Sequence, residues 1–400
     1  MAPTSTKPQS VVIVGGGIGG LAAALALARI GIRSTVLEQS ETIGEIGAGI
    51  QLAPNAFAAL NALGVGEHAR KRAVFTEKLM MMDAVDGKEV STLVVGEAFR
   101  QRFGNPYAVI HRADIHGAIL EGVRNSPLIE LITSSRVEEM EQDGAGVTVR
   151  DSRGRRHTAD AAIGCDGVKS VIRDRLVGDT ARVSGHVVYR AVVPVDEMPA
   201  DLRINAPVVW AGPDCHLVHY PMRGGEQYNL VVTFHSREQE SWGVRDGSKE
   251  EVLSYFTGIC ARPRQLLGAP RSWRRWSTAD RDPVESWTRG RATLLGDAAH
   301  PMLQYLAQGA CMAIEDAVTL AAALERTGCD FDAAFRLYEQ ARVPRTARVV
   351  LSAREMGRLY HAKGVERLVR NSLWKGRSNE RFYDALEWLY GWKAENCLDA

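Results

Sequence analysis

The hydrophobic pattern at the start of the chain predicts a strand, a glycine turn, a helix and a second strand. Residues 11–14 form a continuous apolar run, residues 15–20 contain five glycines, and residues 21–30 are rich in alanine and leucine. Gly31 stands where a helix favours a left-handed end, and the apolar residues 34–37 follow it. This order is typical of the βαβ unit of a dinucleotide-binding domain.

Further along the chain, the pattern changes to alternating β-type segments. Residues 78–84 and 88–95 flank the turn signal Asp86-Gly87, which predicts a hairpin. Residues 187–234 alternate in the same way around the turn at 223–226. We therefore predict a second, mostly antiparallel β domain.

The last third of the chain has helical character. Residues 292–295 are a short buried strand, and residues 309–324 have helical composition and spacing. From residue 331 onward the chain is predicted to be helical, and its aromatic side chains are expected to pack against the rest of the chain or against a second copy. The sequence therefore leaves open whether the chain forms a homo-oligomer.

These segments predict an α/β protein with a Rossmann-like domain, an inserted mostly antiparallel β domain and a helical C-terminus. The predicted boundaries are 1–75, 101–185 and 276–330 for the nucleotide-binding domain, 76–100 and 186–275 for the substrate domain, and 331–400 for the C-terminal helical region.

Composition narrows the class of partner. The 400 residues exceed what one compact core usually serves, and 49 basic residues against 48 acidic ones leave a net charge of +1. A net charge this close to zero does not indicate a surface that binds nucleic acid or an anionic membrane. A small-molecule partner is therefore expected. The six cysteines show neither a CxxC pair nor metal-ligand spacing, so neither a disulfide framework nor a zinc site is expected and no metal is predicted; a reducing cytoplasm fits best.

The uncharged run over residues 11–28 raises the alternative of a membrane or signal segment. Its five glycines would cost a spanning helix heavily, and its length is at the short limit for crossing ~30 Å of hydrocarbon. A buried strand, a turn and a buried helix explain the same residues better, so no membrane span is expected.

Gly15, Gly17 and Gly20 form a GxGxxG motif between the predicted strand and helix. Without side chains, the backbone N–H groups and the positive helix end can approach a pyrophosphate. Glu38 ends the second strand, where a carboxylate can accept both hydroxyls of an adenosine ribose. The motif predicts a dinucleotide site but leaves FAD and NAD both open.

Two later motifs favour FAD. Asp297 lies in Gly-Asp-Ala-Ala-His just after a buried strand, and Asp166 begins an Asp-Gly loop ahead of a predicted helix. In this order after GxGxxG, the pair resembles the GD and DG motifs of the class A flavoprotein aromatic hydroxylases, over most of the chain up to about residue 338. The resemblance implies the fold of that family and bound FAD, with Asp166 in the cofactor site, Asp297 on the ribityl chain and Arg112 beside the flavin.

The same resemblance implies a position relative to the flavin for the helix that starts at Gly309. Its N-terminus would face the flavin, where the helix dipole favours negative charge on the reduced ring. Residues 303–307, Leu-Gln-Tyr-Leu-Ala, depart from the salicylate-hydroxylating members. Together with residues 215–225, they resemble the branch that hydroxylates 3-hydroxybenzoate.

A candidate substrate site follows from strand periodicity. His216, Val218 and Tyr220 share one face of a strand, whereas Leu217 and His219 take the other. Electrophilic oxygen transfer is faster to a phenolate than to a phenol, so a base with a pKa near 7 is expected beside the substrate hydroxyl. His216 suits this role, although a strand histidine is more often structural.

The resemblance adds roles for two further side chains. It implies that Gln304 holds the same hydroxyl and that Tyr220 orients the substrate carboxylate. Arg190 could anchor a carboxylate, but a surface ion pair is expected instead. His300 is expected to be structural, and solvation or helix packing would explain Glu315 and Asp316.

The resemblance implies an FAD monooxygenase that converts 3-hydroxybenzoate to 2,5-dihydroxybenzoate (gentisate) with O2 and transiently bound NADH. Salicylate or another phenolic or heteroaromatic ring remains an alternative substrate. A flavin reductase or dehydrogenase of the same fold, and a flavin-binding protein without catalysis, are further alternatives. No second GxGxxG is present to hold a nicotinamide cofactor.

Overall fold

A computed structural model describes residues 9–44 and 48–399. The polar residues 1–8 at the start of the predicted nucleotide-binding domain, together with residues 45–47 and 400, lie outside the described residues.

Strands and helices are numbered in chain order. Strands β1 to β19 span Ser10–Val14, Arg33–Leu37, Gly49–Leu52, Val74–Phe75, Lys78–Asp83, Glu89–Val94, Ala108–His111, Ile129–Ile132, Val137–Gln142, Val147–Asp151, Arg156–Ala159, Ala161–Gly164, Arg182–Pro194, Val208–Gly212, Cys215–Met222, Gln227–His235, Val244–Gly247, Trp273–Asp280 and Ala292–Leu294. Helices α1 to α12 span Ile18–Arg29, Pro54–Ala62, Gly66–Arg70, Glu97–Phe103, Arg112–Arg124, Val171–Leu176, Lys249–Tyr255, Ala261–Gly268, Gly309–Arg326, Phe331–Tyr360, Gly364–Trp374 and Asn379–Tyr390.

A five-stranded parallel sheet carries the predicted βαβ unit. Its strand order is β19-β12-β1-β2-β8, and each neighbouring pair is parallel. Residues 11–14 of β1 and all of β12 are apolar and buried, as expected for a sheet covered by helices on both faces. Gly31 has a φ of +81°, as its position after the first helix predicts. The predicted Rossmann-like α/β fold is confirmed.

An eight-stranded sheet forms the second layer. Its order is β17-β18-β13-β16-β15-β14-β5-β6, and only the β14·β5 pair is parallel. The predicted hairpin is present as β5 and β6, which pair Lys78 with Val94. The mostly antiparallel β unit is thus confirmed, while the domain boundaries stay predictions.

The C-terminal region is helical, as predicted, and its aromatic side chains pack on the body of the chain. The ring of Tyr383 lies 5.6 Å from that of Phe99, and the ring of Tyr390 lies 5.8 Å from that of Phe103. Both tyrosines belong to helix α12, which these contacts hold against helix α4.

The described residues contain neither a membrane-spanning helix nor a disulfide bond. Within residues 9–44 and 48–399, no helix combines the length and the apolar character that crossing a bilayer requires. All six cysteines carry free thiols.

Candidate active site

The glycine turn after β1 is packed so closely that two of its glycines tolerate no side chain. Gly15 has a φ of +110°, and a Cβ there would lie 2.4 Å from the carbonyl oxygen of Cys165. A Cβ on Gly20 would lie 1.9 Å from the carbonyl oxygen of Gly15. Gly17 differs, because nothing lies within 4 Å of a Cβ placed there. Its open side faces a cavity, which suits the approach of a ligand to the backbone.

Glu38 lies against this turn. Its Oε2 accepts a hydrogen bond from the Gly16 amide at 2.8 Å, and its Oε1 accepts one from the Ser40 amide at 2.8 Å. The carboxylate is therefore held at the edge of the turn, where the sequence placed a ribose-binding acid.

The two predicted aspartates lie in different surroundings. Asp166 caps helix α6, since its side chain accepts from the Ser170 hydroxyl at 2.5 Å and from the Val171 amide at 2.7 Å. Asp297 is exposed and lines the cavity together with Gly17 and Arg112. The structure thus brings Asp297 to the cavity, whereas the carboxylate of Asp166 is occupied within its own helix cap.

A buried ionic network supports the loop that carries Asp297. Asp316 accepts hydrogen bonds from the Gly296 amide at 3.0 Å, His300 Nε2 at 2.6 Å and Arg342 Nε at 2.6 Å. Glu315, beside it, pairs with Arg342 Nη1 at 2.6 Å. Both carboxylates are fully buried, so they are not a solvated pair on the helix surface. Their presence in α9 is explained by helix packing and by ion pairing with arginine. His300 is structural, as expected.

One cavity of about 680 Å³ connects the glycine turn to the second sheet. It is lined near the turn by Gly17, Arg112, Gly296, Asp297 and Gly309, and near the second sheet by Arg190, His216, Val218, Tyr220, Gln304 and Tyr305. His216, Gln304 and Tyr220 therefore open into the same cavity as Gly17, Arg112 and Asp297. The other predicted cofactor residues, Gly15, Gly20, Glu38 and Asp166, are not part of its lining.

The predicted periodicity of β15 is correct. His216, Val218 and Tyr220 line the cavity, while His219 on the opposite face is fully buried. His216 Nδ1 lies 2.8 Å from Nε2 of His361, a residue that follows α10. Burial, with a smaller contribution from His186, lowers the pKa of His216 to about 3, instead of leaving it near 7. The imidazole is therefore neutral near pH 7 and is a weaker base than the sequence predicts, because burial disfavours the imidazolium.

Three other groups complete this end of the cavity. Gln304 Nε2 donates to Thr233 Oγ1 at 3.2 Å, which fixes the loop before α9 against β16. Tyr220 packs against Gly49, where a Cβ would lie 2.5 Å from its ring. Arg190 lines the cavity, and its guanidinium carbon lies 5.8 Å from the centre of the Trp276 ring. The expectation of a surface ion pair for Arg190 is wrong: none of the ion pairs among the described residues includes it.

Sequence reasoning missed His361, and it used Tyr305 only as part of the resemblance, without a role of its own. His361 lies 145 positions after its partner His216, and Tyr305 Oη lies 2.5 Å from Nδ1 of His186, 119 positions earlier. No local pattern signals such pairs, because the loop before α9 and the residue after α10 meet β13 and β15 only in the folded chain.

The cavity fits a flavin dinucleotide. Backbone amides at a helix N-terminus and an open glycine suit a pyrophosphate, and an exposed carboxylate suits the hydroxyls of a polyol chain. Gln308, at the N-terminus of α9, lines the cavity, and its buried Nε2 has no hydrogen-bond partner among the described residues. An unsatisfied amide donor at this position suits an acceptor atom of a bound ring.

Comparison with known proteins identifies close relatives. Residues 9–353 match the FAD binding domain family. The chain is 65% identical over 396 residues to a 3-hydroxybenzoate 6-hydroxylase of Klebsiella oxytoca, which covers 98% of this chain and 99% of that one. It is 64% identical over 388 residues to a 3-hydroxybenzoate 6-hydroxylase of Polaromonas naphthalenivorans, over 97% of each.

A solved structure gives the same answer for the fold. The crystal structure of Klebsiella pneumoniae HpxO complexed with FAD and uric acid has a TM-score of 0.84 and 26% identity, and the match covers 98% of this chain and 97% of that chain.

Proposed function

Because this chain belongs to the FAD-binding family of the class A flavoprotein aromatic hydroxylases, we propose that it hydroxylates 3-hydroxybenzoate para to its hydroxyl group. The balanced reaction converts 3-hydroxybenzoate, NADH, O2 and a proton to gentisate, NAD⁺ and water. The near-complete coverage of the 3-hydroxybenzoate 6-hydroxylases supports this substrate over salicylate.

One observation carries the proposal: a single cavity holds His216, Gln304 and Tyr220 at one end and the glycine turn, Arg112 and Asp297 at the other. A small aromatic acid needs a base and a hydrogen-bonding group at its hydroxyl, and a polar or cationic group at its carboxylate. His216 and Gln304 supply the first pair. Tyr220 and Arg190 supply the second, since both line this space and Arg190 belongs to no ion pair among the described residues.

His216 takes the phenolic proton through Nε2. Its Nδ1 is engaged with His361 Nε2, so Nε2 is the nitrogen left for substrate. When the Nδ1–H group of His216 donates a hydrogen bond to His361 Nε2, the Nε2 atom of His216 carries the lone pair that a base requires. Burial opposes an isolated imidazolium here, so the proton is accepted only when a phenolate forms beside it, which ties deprotonation to substrate binding.

The cofactor is held at the other end of the cavity. FAD, when bound, takes electrons from NADH and activates O2 for transfer to the ring. The glycine turn and the N-terminus of α1 would bind the pyrophosphate, Glu38 beside the turn the adenosine ribose, and Asp297 the ribityl chain. Arg112, which lines the cavity, would lie beside the flavin, and Asp166 would act indirectly by capping helix α6. The free thiols favour a reducing cytoplasm.

Product identification tests the proposal. The FAD-loaded protein is incubated with NADH, O2 and each of 2-, 3- and 4-hydroxybenzoate, and the products are separated. Gentisate from the 3-hydroxy isomer is expected, with an NADH oxidation rate stimulated by that isomer. Failure to form gentisate from 3-hydroxybenzoate would sink the substrate assignment.

A dehydrogenase of the same fold would consume a donor without inserting oxygen. Incubation under ¹⁸O2 separates the two classes, because one labelled atom in the product requires monooxygenation. An unlabelled product would place the chain among the dehydrogenases or reductases.

A further inference from the structure

Three histidines meet beside the proposed base, and we call them the histidine cluster: His186 in β13, His235 at the end of β16 and His361 after α10. One ring nitrogen from each lies within 4.8 Å of those from the other two. His235 is exposed, whereas His186 and His361 are at most 9% exposed. The cluster therefore opens to solvent at one residue and reaches inward through the other two.

We propose that the histidine cluster binds one transition-metal ion of the Zn²⁺ class and that this binding inhibits hydroxylation. The inference goes beyond the proposed reaction, which uses neither a metal nor His235. The cluster is composed of residues 49 or more positions apart, so sequence spacing does not reveal it.

The donor set suits a borderline-soft ion. Three neutral imidazoles with a fourth position open to water are a common coordination for Zn²⁺ and also suit Cu²⁺ and Ni²⁺, whereas Mg²⁺ prefers oxygen. One ring nitrogen from each histidine already lies within 4.8 Å of the other two, so a single ion can reach all three.

Binding requires a small rearrangement. Nitrogen ligands around a tetrahedral Zn²⁺ lie about 3.3 Å apart, given Zn–N distances of about 2.0 Å. In the metal-free arrangement His186 Nε2 and His235 Nε2 are 2.6 Å apart, so these two rings separate slightly and His361 moves toward them. Side-chain rotation at the exposed His235 can supply most of the adjustment.

The movement of His361 disables the base. If the ion binds His361 Nε2, that atom can no longer accept the 2.8 Å hydrogen bond from His216 Nδ1. His216 then loses the acceptor that keeps its proton on Nδ1 and its lone pair on Nε2. Coordination through Nδ1, which is buried and has no partner among the described residues, fixes the His361 proton on Nε2. The Nε2–H group of His361 then donates a hydrogen bond to His216 Nδ1. The neutral His216 therefore carries its own proton on Nε2 and cannot accept another proton there.

His186 provides a second connection to the cavity. Its Nδ1 lies 2.5 Å from the hydroxyl of Tyr305, which lines the cavity beside Gln304. An ion on His186 Nε2 makes Nδ1 a fixed N–H donor to that hydroxyl. Two of the three ligands are thus bonded directly to side chains of the proposed substrate site.

Binding is tested first, without substrate. Tag-free, FAD-loaded protein is titrated with ZnCl2 by calorimetry, with MgCl2 as the comparison. One Zn²⁺ per chain is expected, and His235→Ala or His235→Asn should weaken binding at least about tenfold, because loss of even an outer-shell partner has that effect. His68→Ala removes a surface histidine from α3 and should leave binding unchanged. Equal affinity in the wild type and both His235 variants would overturn the site.

Inhibition is tested next. Zn²⁺ should lower the rate of product formation by the wild type and by His68→Ala at least tenfold at saturation, and EDTA should restore it. His235→Ala should keep the metal-free rate and resist the inhibition. Binding without inhibition, or equal inhibition of His235→Ala, would overturn the coupling. Because calorimetry needs no substrate, failure of the substrate assignment leaves the metal result readable.

Discussion

The backbone amide of Gly296 donates a hydrogen bond to the carboxylate of Asp316 at 3.0 Å, which ties the loop before Asp297 to the middle of helix α9. Asp316 is fully buried and is also bonded to Arg342 in helix α10. The position of a predicted flavin contact thus depends on an ion pair between two helices.

Replacing Arg342 by methionine should destabilise the protein by about 3–5 kcal/mol, because it leaves the buried Asp316 without its cationic partner and Glu315 with only one arginine. The free energy of unfolding in urea measures this. Arg358→Met, in the same helix but exposed, should change it by less than about 0.5 kcal/mol. Equal stability of Arg342→Met and wild type would show that the network is not essential to the fold.

Gly17→Ala should fold but bind FAD more weakly, because the added methyl meets nothing in the ligand-free chain and occupies the space where the pyrophosphate approaches. Quenching of FAD fluorescence on titration gives the affinity. Gly20→Ala serves as contrast, since its Cβ would collide with the carbonyl oxygen of Gly15 and should impair folding itself. Wild-type affinity in Gly17→Ala would remove the turn from the cofactor site.

His216→Ala should slow hydroxylation of 3-hydroxybenzoate by at least about 100-fold, the usual contribution of general base catalysis. NADH oxidation should continue, and H2O2 should replace gentisate as the main oxygen product. His219→Leu is the matched control on the same strand: His219 is buried on the other face, and both its ring nitrogens lack partners among the described residues. Unchanged coupling of NADH to product in His216→Ala would exclude it as the base.

The pH dependence of stability should reflect the Glu240–Arg275 pair. Arg275 and the Ser236 hydroxyl stabilise the carboxylate and lower its pKa to about 2 against the opposing effect of burial. A folded-state pKa below the unfolded value adds stability above pH 4.5, and this stability is lost as the pH falls toward 2. Glu240→Gln should therefore lose less stability than the wild type in urea unfolding between pH 5 and pH 3. Parallel losses in both proteins would contradict the assignment.

Local pattern was enough to predict the elements around the cofactor site. The apolar run before Gly15, the glycine turn, the helix and the strand ending at Glu38 are all specified by residues adjacent in the chain. Strand alternation likewise predicted which face of β15 holds His216 and Tyr220, because successive side chains of a strand point to opposite sides. The identity of the ring to be hydroxylated rested on resemblance and not on these patterns.

Protonation and long-range partners were decided only by the tertiary structure. A strand pattern placed His216 on a face but could not show that burial would lower its pKa to about 3, because desolvation depends on everything packed around the ring. Nor could it pair His216 with His361 or Arg342 with Asp316, since such contacts arise when distant helices close over the sheets. Sequence determined which side chains face the cavity; folding determined which proton each of them can hold.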